Sequence, residues 1–105
     1  MLLKYDIDID NKAICIHLKK MTNQIYKLLP SREEGSDWEK TLKTILEEFS
    51  GMGRLFLDHQ SILFSLICKL EGLFLLTKHE DFLMYRKTIF ECLSLVNELI
   101  KVCQD

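Results

Sequence analysis

Three histidines, four cysteines and a scatter of glutamates are the side chains in this 105-residue sequence with the reactivity to carry chemistry. Nucleophilic catalysis needs a Ser or Cys held against a base, and the available bases are His17, His59 and His79. His59 and His79 fall at expected helix starts, and His17 falls among polar positions of the first helix, so solvated histidine is the better reading for each. Zinc sites need closely spaced Cys or His pairs; Cys15 and His17 are two apart and point to different faces of a helix. A metal-dependent helical hydrolase would need carboxylates at i and i+3 or i+4 on facing helices. Glu33, Glu34, Glu47, Glu48, Glu91 and Glu98 make no such pair on an expected helix, and the seven-residue step from Glu91 to Glu98 reads as a solvated stripe. Gly51-Met52-Gly53 lacks the later glycine and the lysine of a phosphate loop and follows a helix, where glycine serves as a cap. No catalytic, metal or cofactor-binding residue is therefore assigned, and a non-enzyme without cofactor is expected.

The cysteines Cys15, Cys68, Cys92 and Cys103 are each flanked by Ile, Leu or Val, and none forms a C-x-x-C pair. They are expected to be reduced and mostly buried, as small apolar core residues.

Such residues sit on elements that the apolar spacing defines. The segment 4–10 alternates Tyr5, Ile7 and Ile9 with Asp6, Asp8 and Asp10, a strand period with no second strand to pair with, and 1–10 is read as an extended arm or an early helical turn whose acidic residues suit a helix N-terminus. From residue 11, Ile14, Leu18, Met21, Ile25 and Leu28 mark one helical face, and Pro30 is expected to end that helix at Leu29. The connector 30–35 holds the single proline and a glycine. Ser36-Asp37-Trp38-Glu39 has the form of a capping box for a second helix, whose inner face is Trp38, Leu42, Ile45 and Phe49, with Leu46 beside it. Gly51 and Gly53 close it.

Asp58 is the expected cap of a third helix over 59–76, apolar nearly all round and so in need of cover on most sides. Gly72 inside it suggests a close helix contact or, more plainly, a loose turn near the helix end. A polar turn follows, capped by Thr77 with Glu80 or by Asp81. The fourth helix, 82–103, would bury Phe82, Tyr85, Ile89, Cys92 or Leu93, Val96, Leu99 or Ile100, and Cys103.

The expected fold is a single all-α domain over 1–105, a small antiparallel bundle of about four helices, dimeric. Its 48% hydrophobic residues are a surplus that points to a covered interface, while 29% charged residues argue against a membrane protein or a disordered chain. Fourteen basic against sixteen acidic residues, interspersed, leave no footprint for nucleic acid. A third helix with Lys69 as its only basic residue could not read a groove. The acidic residues from Asp6 onward argue against a signal peptide, and no apolar run is long enough for a membrane span, so a cytoplasmic location is expected.

Two strings carry a resemblance: Ile25-Tyr26-Lys27-Leu28-Leu29-Pro30 leading into Arg32-Glu33-Glu34-Gly35 and Asp37-Trp38-Glu39-Lys40, and Tyr85-Arg86-Lys87-Thr88-Ile89-Phe90-Glu91-Cys92. Together they resemble short helical proteins encoded by bacteriophages and prophages of Gram-positive bacteria, a group that brings no established active site. The resemblance implies action by binding, for instance as a regulator or inhibitor of a host protein.

The function expected is thus a protein–protein interaction module that self-associates and takes a protein partner. Two other classes are held beside it: a metal-dependent all-α hydrolase resembling nucleotide pyrophosphohydrolases, and a small nucleic-acid-binding regulator. Arg32, Glu33, Glu34, Asp37 and Trp38 form a charged turn with an aromatic anchor; Trp38 as a seal over the end of the bundle is the plainer reading of that residue. Phe64, Phe74, Tyr85 and Arg86 are the interaction candidates on the third and fourth helices.

Overall fold

The computed structural model describes residues 11–104, and the expected arm at 1–10 lies outside the described residues. Four α-helices are present: α1 (Asn11–Glu33), α2 (Trp38–Ser50), α3 (Gln60–Gly72) and α4 (Phe82–Gln104). Short 3-10 segments, Gly53–His59, Leu73–Leu75 and His79–Asp81, make the connections, and no strand occurs among the described residues. The helices form a ring in which α1 packs on α2 and α4, and α3 packs on α2 and α4. Cys15 near the start of α1 meets Ile100 near the end of α4, His17 meets Glu48 near the end of α2, and Lys69 late in α3 meets Glu91 in α4. Neighbours are therefore antiparallel, as their short connections require. The protein is an antiparallel all-α bundle.

Spacing decides the core. Leu18, Met21, Ile25 and Leu28 of α1 face Leu42, Ile45 and Phe49 of α2, and Leu63, Leu66, Leu70, Tyr85, Ile89, Cys92, Val96 and Leu99 complete the interior. Each recurs at three- or four-residue steps, so one stripe per helix leaves water, which is the main favourable contribution to folding.

Several local expectations are corrected. Helix α1 does not stop at Leu29 but runs through Pro30 to Glu33. Proline's fixed φ suits a helix, and its missing donor matters little here because the turn is closed downstream. The Glu34 amide donates to the Pro30 carbonyl at 3.0 Å and the Ser36 amide to the Ser31 carbonyl at 2.9 Å, around Gly35 at φ +74°. Helix α2 is capped by Asp37 rather than Ser36: its carboxylate accepts from the Lys40 amide at 3.3 Å. Asp58 does not cap α3, because it is consumed in the 3-10 segment, and His59 precedes the helix without a side-chain cap. The Lys78 amide donates to Asp81, so neither Thr77 nor an Asp81 cap of α4 organises the last turn as expected. Gly51 caps α2 in a right-handed conformation, since the chain passes straight on into the next turn.

The third helix is shorter than expected, ending at Gly72 before the 3-10 turn Leu73–Leu75. No atom lies within 4 Å of where a Gly72 Cβ would stand, so the loose turn, not a close helix contact, explains the glycine. Nor is α3 covered on most sides: Leu63, Leu66 and Leu70 are buried, whereas Phe64 remains 59% exposed and Cys68 is also exposed. Cys68 thereby departs from the expected burial of the thiols; Cys15, Cys92 and Cys103 conform to it.

Candidate functional site

The turn after α1 was the first sequence candidate, and it proves to be the base of an aromatic cluster at one end of the bundle. Helix α1 carries Arg32 two residues past Pro30, α2 opens with Trp38, and α4 brings Tyr85 on its first turn. The Arg32 guanidinium donates to the Leu76 carbonyl at 2.9 Å and the Lys78 carbonyl at 2.7 Å. It also lies 4.7 Å from the Tyr85 ring centre and 5.4 Å from that of Phe82. Trp38 meets Tyr85 edge to face at 5.3 Å and 82°. Cation–π attraction and charge-assisted hydrogen bonds thus tie α1 through Arg32 to α4 and the α3–α4 connection, and Tyr85 carries the cluster on to Trp38 of α2.

Two of the interaction candidates lie in the interior. Trp38 is buried, as the seal of the bundle end, and Tyr85 has no exposed surface at all. Arg32 is half-buried and engaged inward, while Glu33, Glu34 and Asp37 stay exposed on the turn. Phe74 is partly buried against the core, and Phe64 and Arg86 are exposed. The nine candidates are not brought together as one site; they divide between this end, the outer faces of α3 and α4, and, for Phe74, the 3-10 turn after α3.

The Tyr85 hydroxyl and Arg32 Nε are buried without a hydrogen-bond partner among the described residues. Burial drives the Tyr85 hydroxyl above the ordinary phenolic value, and the Arg32 charge pulls it only partly back. Burial likewise pushes the Cys92 thiol from 9.0 up to about 12, with Lys69 lowering and Glu91 raising it by smaller amounts. These groups fold protonated. In the unfolded chain the thiols lose protons near pH 9 and tyrosine near pH 10, roughly their free values. Above that range the unfolded state binds fewer protons than the native state, so stability falls as pH rises. Urea unfolding should show a midpoint that is constant near about pH 7 and declines above about pH 9; a midpoint flat to about pH 11 would contradict the assignment.

Sequence reasoning missed a second constellation, on the outer side of α1 and α4. Tyr26 and Phe90 meet edge to face at 6.1 Å and 86°, and the Arg86 guanidinium lies 5.2 Å from the Phe90 ring centre. A shallow cleft of about 440 Å³ beside them is lined by Leu83, Arg86, Lys87, Phe90, Glu91 and Ser94. The available signal was adjacency: Tyr26 follows buried Ile25, and Phe90 follows buried Ile89, which places both rings just off the inner stripe.

The charged residues weighed for metal chemistry are dispersed. Glu91 pairs with Lys69 at 3.2 Å and Glu48 lies 3.8 Å from His17 Nε2, both pairs being partly exposed and worth at most about 1 kcal/mol each. Among the described residues, no group of three or more His, Cys, Asp or Glu converges. No helix among them is long and apolar enough to cross a membrane.

Comparison with protein-family models, with curated proteins and with solved structures finds no match.

Proposed function

We propose that this protein is a non-enzymatic protein–protein interaction module that works as a homodimer, in the phage-borne regulator or inhibitor role that the sequence resemblance implies. The observation that carries this reading is the set of large apolar side chains left in water on rigid elements. Phe64 is 59% exposed on α3, Leu75 81% on the turn after it, and Leu83 77% and Met84 53% at the start of α4. These elements are neighbours in the ring, and covering such side chains with a second chain removes apolar area from water at about 25 cal/mol per Å². The Tyr26–Phe90–Arg86 group offers a further surface of the composition enriched in binding hot spots, for the protein partner.

Light scattering at micromolar concentration tests the self-association. The expected result is a mass twice the 12.4 kDa of the chain. Phe64→Glu, at an exposed position, should return the monomer with an unchanged helical circular dichroism spectrum. A clean monomer for the unaltered chain removes the homodimer.

A further inference from the structure

The end of the bundle opposite Arg32 brings the first and last described helices together through sulfur. Cys15 on the second turn of α1 and Cys103 on the last turn of α4 are each 8% exposed. Both side chains line one surface cleft, and the Cys15 thiol donates to the carbonyl of Ile100, three residues before Cys103 on α4, at 3.8 Å. A surface cleft of about 370 Å³ opens on the pair, lined by both cysteines with Lys12, Ile16, Lys19 and Gln104. Neither of the other cysteines has this setting. Cys92 is completely enclosed, and Cys68 stands exposed on α3, away from both.

We propose that Cys15 and Cys103 are a thiol-pair modification site that takes small disulfides of the glutathione class and closes to a disulfide linking α1 to α4. The bond from Cys15 to Ile100, three residues before Cys103, supplies the proximity, and the cleft that both cysteines line supplies the approach. The lysines on its rim suit a carboxylate-bearing reagent. In the first step Cys15 gives up its proton, and its sulfur attacks one sulfur of the small disulfide. That S–S bond breaks, and the released thiolate takes up the proton. Cys103 then loses its proton and attacks the Cys15 sulfur of the mixed disulfide, expelling the second small thiol. Two protein thiols are oxidised to one disulfide, and one small disulfide is reduced to two thiols. Burial, followed by the neighbouring Cys15, holds the Cys103 thiol up at about 11, which suits the resolving rather than the attacking role.

Exposed Cys68 would cross-link separate chains, so the test uses Cys68→Ser under native conditions with excess oxidised glutathione. The expected product has lost two hydrogen atoms and carries no adduct. Under denaturing conditions only Cys92 then reacts with a thiol reagent, and proteolysis releases the Cys15 and Cys103 peptides joined until reductant is added. Adding Cys103→Ser should arrest the reaction at a glutathione adduct on Cys15. If that variant does not fold, peptide mapping of the oxidised Cys68→Ser protein decides alone. Both thiols still free, a separate adduct on each, or linkage through Cys92 would each overturn the proposal.

Discussion

Tyr85→Phe is expected to raise the unfolding free energy by about 1 kcal/mol, whereas Tyr85→Ala lowers it by roughly 3–5 kcal/mol. The ring and the hydroxyl act in opposite directions. The ring is fully enclosed, meets Trp38 edge to face and lies under the Arg32 guanidinium. Truncation to alanine empties the space at the junction of α1, α2 and α4 and strips both neighbours of their contact. The hydroxyl has given up its water and has no hydrogen-bond partner among the described residues. Removing it lifts a desolvation cost of about 1–3 kcal/mol, offset in part by a slightly altered fit. Thermal unfolding reads the difference directly: at about 4–8 °C per kcal/mol for a chain near this size, the two variants should fall on opposite sides of the parent. A Tyr85→Phe protein that melts lower would mean that the hydroxyl has a partner in solution.

Arg32→Ala should cost about 2–3 kcal/mol, an effect far beyond that of an ordinary arginine on a turn. Two charge-assisted hydrogen bonds of 2.9 and 2.7 Å are lost, and the carbonyls of Leu76 and Lys78 lose the donor that fixes the connection between α3 and α4. The planar contact with Tyr85 and Phe82 goes with them. Arg32→Lys should recover only part of the loss, because an ammonium group cannot fork to both carbonyls and stack at the same time. The measurement is the urea midpoint at unchanged slope. Equal midpoints for Arg32→Ala and the parent would show that the anchor contributes nothing.

The buried faces were legible because each follows from periodicity alone. Leu18, Met21, Ile25 and Leu28, or Trp38, Leu42, Ile45 and Phe49, sit at steps that permit one inward stripe. Helix ends were less legible, since they depend on competition among neighbouring groups. Asp37 displaced Ser36 as a cap, and Pro30 was carried inside α1 because amides beyond it return to the last turn. The weight given to α3 was also misleading. A run rich in Leu and Phe reads as enclosed, but a helix of 13 residues flanked by two neighbours leaves Phe64 outside. Least visible were the long-range pairings. Arg32 finds carbonyls 44 and 46 residues away, and Cys15 finds Ile100 across 85 residues. No local spacing encodes such partners; only closure of the ring does.

That ring leaves the chain without a separable half. Helices α1 and α2 share one local pairing and α3 and α4 another, yet α1 makes its most extensive contact with α4. A fragment ending at Ser50 would expose the α4-facing side of α1, and a fragment starting at Gly53 would expose the matching side of α4. Neither piece could bury its own apolar stripe. Unfolding is accordingly expected to be all-or-none, because loosening one helix uncovers the faces of both its neighbours in the ring.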